Sequence, residues 1–204
     1  MDPRFRHPFT SIMAGPTGCG KTVFTFRFIK QARELIVPAP DRIMYCYGEY
    51  QDVFSDYPEV EFHEGLPDID QFDGKQRTLL IIDDLMSESG DSVSNIFTKG
   101  SHHRNISILF LSQNLFYKSK QNRTMSLNAH YLILFKNPRD VTQIATLARQ
   151  MYVGRSKFLI EAFNDATTKP FGYLLLDLKP DTPEHLRVRT NIFPDERHYV
   201  YIPK

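Results

Sequence analysis

The sequence predicts an α/β fold built on a mostly parallel sheet with helices on both faces. Three observations carry this. The apolar runs Thr78–Ile82, Ile106–Leu111 and His130–Phe135 are continuous rather than alternating, the pattern of strands buried on both faces. Stretches with helical apolar spacing fall between such runs, so strand and helix alternate along one chain. A glycine-rich turn, Gly15–Thr22, joins a β-like run to an amphipathic helix.

Taken in order, Phe9–Ala14 reads as a short strand. Lys21–Ile36 reads as a helix with Phe24, Phe28, Ala32 and Leu35 on one face, stopped by Pro38 and Pro40. Arg42–Gly48 is a second strand. Residues 49–77 are acidic and punctuated by Pro and Gly, with a short strand at Val60–His63. Thr78–Ile82 is a core strand and Asp91–Lys99 a short helix. Ile106–Leu111 and His130–Phe135 are core strands, Arg139–Met151 and Ser156–Ala166 helices, and Gly172–Leu178 a last core strand. The tail from Lys179 alternates at LRVRTNIF, as an edge strand or an arm does. No linker or repeat divides the chain. We expect one domain over residues 1–204, with its core at about 9–178.

Composition excludes several classes. Apolar residues are 41% and charged residues 24%, ordinary for a globular chain and incompatible with disorder or a collagen-like repeat. No apolar run reaches the ~18 residues that span a bilayer, and residues 1–16 lack the apolar core of a signal peptide. Cys19 and Cys46 have no CxxC spacing, so a reducing compartment is the simple expectation. The net charge of +1 hides an asymmetry. Glu49–Asp91 holds 13 acidic and 2 basic residues, and Lys99–Lys157 holds 10 basic and 1 acidic. Such halves are two solvated faces, or surfaces for a polyanion or for head-to-tail contact between copies.

The turn reads GPTGCGKT, the G-x-x-x-x-G-K-[ST] phosphate-binding loop. Gly15, Pro16, Thr17, Gly18, Cys19 and Gly20 let the backbone wrap a phosphate chain with its N–H groups turned inward. Lys21 supplies a charge to the terminal phosphates and Thr22 a hydroxyl to Mg²⁺. The following helix adds its N-terminal dipole. Cys19 is either a small residue that fits or, at a helix N-terminus, a reactive thiol. Asp83 directly follows the apolar run, at a sheet edge where ligands bind, and is assigned to Mg²⁺. Asp84 is the candidate general base, one methylene shorter than the usual Glu. Gln113, after the Ile106–Leu111 strand, is the candidate sensor of the terminal phosphate. Arg104, before that strand, is the candidate arginine finger supplied in trans, with Arg123 and Arg139 as rivals. Adjacent His102 and His103 lack a third ligand and read as loop residues. ATP and Mg²⁺ are the expected cofactors.

GPTGCGKT, LLIIDDL, SHHRNISILFLSQNLF, SLNAHYLILFKNPRD, IATLARQM and GYLLLDL resemble, in this order, the packaging ATPases of Polinton-type elements and adintovirus-like viruses. Those belong, with the poxvirus-type packaging ATPase, to the FtsK–HerA superfamily. The resemblance spans about residues 9–178 and implies a three-layer P-loop NTPase. Its RecA-like sheet would carry an extra strand between the phosphate-loop strand and the Asp83 strand. It also implies a homomeric ring, pentameric or hexameric, that hydrolyses ATP to move double-stranded DNA into a preformed capsid inside an infected cell. The expected partners are therefore double-stranded DNA, further copies of the chain, and a capsid or portal vertex, with no membrane. Lys118, Lys120 and Arg123 are candidate pore residues. Phe116 and Tyr117 are a stacking pair or a loop anchor, and His198–Tyr201 docks on a neighbour or folds back.

Rival functions fit less well. FKNPRD at Phe135–Asp140 is not the Asn-Lys-x-Asp loop that reads guanine, and the basic residues are too spread for a nucleotide-kinase lid. A DNA pump or helicase not tied to capsids shares the active site. A non-catalytic assembly switch would retain the fold alone.

Overall fold

The computed structural model describes residues 2–83, 85, 90–97, 104–115 and 120–203. The strands are β1 Phe5–Arg6, β2 Thr10–Ala14, β3 Ile36–Val37, β4 Arg42–Tyr47, β5 Glu61–Glu64, β6 Thr78–Asp83, β7 Ile106–Ser112, β8 Tyr131–Phe135, β9 Tyr173–Asp177, β10 Val188–Thr190 and β11 Tyr199–Tyr201. The helices are α1 Lys21–Lys30, α2 Ala32–Leu35, α3 Gly90–Asn95, α4 Lys120–Asn128, α5 Thr142–Met151 and α6 Ser156–Ala166.

Nine strands form the main sheet, in the order β11-β10-β9-β8-β2-β7-β6-β4-β5. From β5 to β8 every pairing is parallel. β9, β10 and β11 close one side by antiparallel pairing. β7 lies between the phosphate-loop strand β2 and the Asp83 strand β6. The central strands β2, β7, β8 and β9 are buried along their whole length, as continuous apolar runs require.

Alternate residues of each strand supply two cores. Ile12, Leu80, Ile82, Ile108 and Leu132 pack with Val93 of α3, Met125 of α4, Ala148 of α5 and Leu159 of α6. Their sequence neighbours Met13, Leu79, Ile81, Leu109 and Ile133 pack with Phe24, Phe28 and Ile29 of α1. The result is three layers, with the sheet in the middle.

Three elements differ from the sequence expectation. The first helix stops at Lys30, where Gln31 leaves helical geometry, and Ile36–Val37 pairs with β1 instead of completing the helix. Two β-branched residues before Pro38 favour extended backbone, and His7 N–H bonds to the Val37 carbonyl at 2.9 Å. α4 went unpredicted because KQNRTMSLN carries no apolar stripe. The tail forms both β10 and β11, antiparallel to the sheet. Arg189 of β10 lies against Asp177 of β9 at 3.4 Å, both buried, and its Nη1 donates to the Pro3 carbonyl at 2.5 Å.

Candidate nucleotide site

The loop begins where β2 ends. Ala14 is in register with Ser112 of β7, and Gly15 N–H bonds to the Ser112 carbonyl at 3.1 Å. Gly18 and Gly20 have φ of 79° and 105°, a region that a side chain enters only with strain. Gly15 is needed for space. A Cβ there would lie 2.6 Å from Cys19 Sγ and 2.7 Å from Phe135 Cβ.

Lys21 opens α1 and folds back over the loop, donating to the Gly15 carbonyl at 2.5 Å and the Pro16 carbonyl at 3.1 Å. Among the described residues no side chain caps α1, and its first turn holds no carboxylate. The positive helix end, the ammonium and the loop N–H groups together suit an anion. Thr22 follows on the same turn.

Asp83 ends β6 at the carboxyl edge of the sheet, opposite Leu111. Tyr45 of β4 donates its hydroxyl to Asp83 Oδ2 at 2.6 Å. Burial, then the Asp83 charge, pushes the Tyr45 pKa far above the usual phenol range, so the hydroxyl remains a donor. Gln113 follows β7 at the same edge, exposed beside the loop. Beyond it, the Leu115 N–H bonds to Gln143 Oε1 at 2.8 Å, and Gln143 Nε2 donates to Asp140 at 2.6 Å. α5 therefore holds the chain that leaves β7.

The sequence matches no protein-family profile and no curated protein. Solved structures are similar. The genome packaging NTPase B204 from Sulfolobus turreted icosahedral virus 2, in complex with ATP-gammaS, has a TM-score of 0.53 at 11% identity, over 100% of this chain and 99% of that one. The same protein with sulfate gives 0.52 at 12% identity, over 100% and 98%. Thermomonospora curvata EccC (ATPases 2 and 3), with a signal sequence peptide, gives 0.50 at 12% identity over 85% of this chain and 39% of that one. The fold is that of the P-loop NTPases.

Within this P-loop fold, Lys21, Thr22, Asp83 and Gln113 share the carboxyl edge of the parallel strands. Arg104 does not. It sits at the amino edge, before β7, paired with Asp70 at 2.6 Å and donating to the Phe72 carbonyl at 2.8 Å. It therefore lies at the opposite edge of the sheet from the chain's own loop. Arg139 lies exposed in the turn after β8, at the carboxyl edge. Asp84, Phe116, Tyr117, Lys118, His102 and His103 lie outside the described residues, as do the side chains of Lys120 and Arg123.

Cys19 is half-buried and packs against the core that holds α1, which fits the first of its two readings. Burial raises its pKa, outweighing the nearby Lys21 charge that lowers it. Cys19 is a packing residue between Gly15 and the α1 core. Tyr45 and Gln143 are site residues that sequence reasoning missed. Neither has a motif, because each finds its partner across the sheet.

Two clefts flank the loop. One of about 230 Å³ lies between Gln113, Leu134, Asp140, Gln143, Ile144 and Phe163. The other, about 740 Å³, opens from Gly20 toward α1, β9 and β11.

Proposed function

We propose that the chain is an ATP-hydrolysing motor, acting as a ring, that drives double-stranded DNA into a preformed viral capsid. One observation carries the reading most. A phosphate loop with its lysine stands one strand away from an aspartate-tipped β6, in a fold that matches the packaging NTPase B204 over the whole length of both chains.

Lys21, poised on loop carbonyls, would move to the β- and γ-phosphates. Thr22 and Asp83 offer hard oxygen donors that suit Mg²⁺, and Tyr45 holds Asp83 in place. Mg²⁺ would neutralise phosphate charge there. Gln113 would orient the attacking water, with Asp84 as base. Arg104 would complete the site of the next subunit. Its pair with Asp70 is partly exposed and so worth at most about 1 kcal/mol, cheap to exchange for a phosphoryl group.

The test is steady-state ATP hydrolysis by wild type and Lys21→Ala, with and without double-stranded DNA, alongside the particle mass in solution. DNA-stimulated hydrolysis from a ring-sized particle, absent in the variant, is expected. An inert chain at high concentration with DNA present would reduce it to a nucleotide-binding switch. Hydrolysis without DNA response would move it to another branch of P-loop motors.

A further inference from the structure

We propose that the larger cleft is the slot for the base and ribose of the bound nucleotide, with the Phe171 ring as its stacking face. This rests on the phosphate-loop reading above and adds where the nucleoside goes.

Direction comes from the sheet order. Asp83 and Gln113 lie on the β6–β7 side of β2, and the cleft lies on the β8–β9 side. A triphosphate whose terminal phosphate faces Asp83 and Gln113 must send its nucleoside the other way. Gly20, the last residue before α1, lines the cleft, so loop and cleft are continuous.

The walls suit a flat, apolar-faced ring. Val23, Phe171 and Tyr199 all border the cleft and are exposed to 73%, 67% and 45%. Its floor is buried aromatic surface, with the ring of Phe24 4.8 Å from Tyr173 and 5.0 Å from Phe193. Phe171 is held there against its own preference. Its φ is 62°, where a bulky side chain is strained. The backbone after it is wedged, since a Cβ on Gly172 would lie 2.4 Å from the Ala166 carbonyl. The ring meets the loop directly, because a Cβ on Gly20 would lie 2.9 Å from Phe171 Cδ1. A strained, exposed aromatic touching the phosphate loop has no packing role that needs its exposure. Stacking on a base gives it one, and stacking reads the face of a base rather than its edge.

The test measures dissociation constants of the full chain for ATP and for inorganic tripolyphosphate, by calorimetry, in wild type, Phe171→Ala, Phe171→Trp and Lys21→Ala. Alanine meets the same backbone penalty as phenylalanine, so only the ring is removed. Phe171→Ala is expected to weaken ATP about tenfold or more, leave tripolyphosphate unchanged, and be rescued by Phe171→Trp. Unchanged ATP binding in Phe171→Ala, with both ligands lost in Lys21→Ala, overturns the slot and leaves the phosphate loop standing. An equal loss of both ligands in Phe171→Ala means that the ring only shapes Gly20, and also overturns it. Loss of oligomer with unchanged ATP affinity makes the cleft a subunit contact instead. A wild type that binds neither ligand removes the phosphate reading and the slot together.

Discussion

Tyr45 reaches Asp83 from a fully buried position two strands from the phosphate loop. A hydroxyl held in this way orients a carboxylate that would otherwise swing. Tyr45→Phe keeps the packing and removes only that bond. We expect the Mg²⁺ concentration for half-maximal hydrolysis to rise about tenfold or more, with little change in stability. An unchanged Mg²⁺ dependence would mean that Asp83 does not serve the metal, or that Tyr45 does not hold it. Cys19 gives a pH test. A raised pKa keeps the thiol neutral, and only the thiolate is nucleophilic, so alkylation at pH 8 should be slower in the folded protein than for free cysteine. Unfolding should remove the difference. Native alkylation as fast as that of free cysteine would favour the reactive-thiol reading. The same direction holds for Cys46, which burial pushes up to about 12. At this scale the sequence shows residues that carry a local motif. Gly15–Thr22 and Asp83 are legible because spacing alone defines them. Tyr45, Gln143 and Phe171 are not, because their importance comes from strands far away in the chain.

Elements follow the same division. Ser156–Ala166 has the predicted limits, since its apolar spacing is undiluted. α4 is invisible in the sequence because, among its described side chains, only Met125 is buried. The tail strands show what the sequence leaves open. Alternation at LRVRT suits an edge strand, but only the structure reveals that Arg189 is buried against Asp177. Desolvation lowers the pKa of Arg189, with the Asp177 charge opposing that shift. Asp177 also accepts from the Thr182 hydroxyl at 2.9 Å. Asp177→Ala leaves a buried guanidinium uncompensated and should cost about 3 kcal/mol or more. For a chain of this size that lowers Tm by roughly 6–12 °C in thermal unfolding followed by circular dichroism. A fall under about 2 °C would mean that the pair contributes little to anchoring β10.

Over the whole molecule, the charge asymmetry maps onto the sheet. The acidic stretch supplies β5, at the free edge, and β6, which flank β4 on either side. The basic stretch runs through β7, α4, β8 and α5. Some of its acids are paired within the chain, as Glu61 with Arg42 and Asp70 with Arg104. If Arg104 acts in trans, Arg104→Ala and Lys21→Ala should each be inactive alone. Mixing them should restore part of the ATPase, because some interfaces then combine an intact loop with an intact arginine. No recovery on mixing, with Arg104→Ala active by itself, would exclude this finger. Specific activity should also rise steeply with protein concentration, and a flat dilution series would contradict a ring-dependent site. Strand order was not readable from periodicity. The resemblance implies a strand between β2 and β6 without saying which, and only the structure shows that it is β7, since parallel strands carry no local mark of their neighbours.

β7 has a further consequence. Seven buried residues form a stiff span of about 23 Å, gripped by parallel partners on both sides. Gln113 stands at one end, beside the chain's own phosphate loop. Arg104 stands at the other, paired with Asp70. Under the ring reading, a push at the sensing end is felt at the reaching end without any hinge between them. Hydrolysis in one subunit would then set the moment at which the next can fire, and a single strand would serve as the clock of the ring.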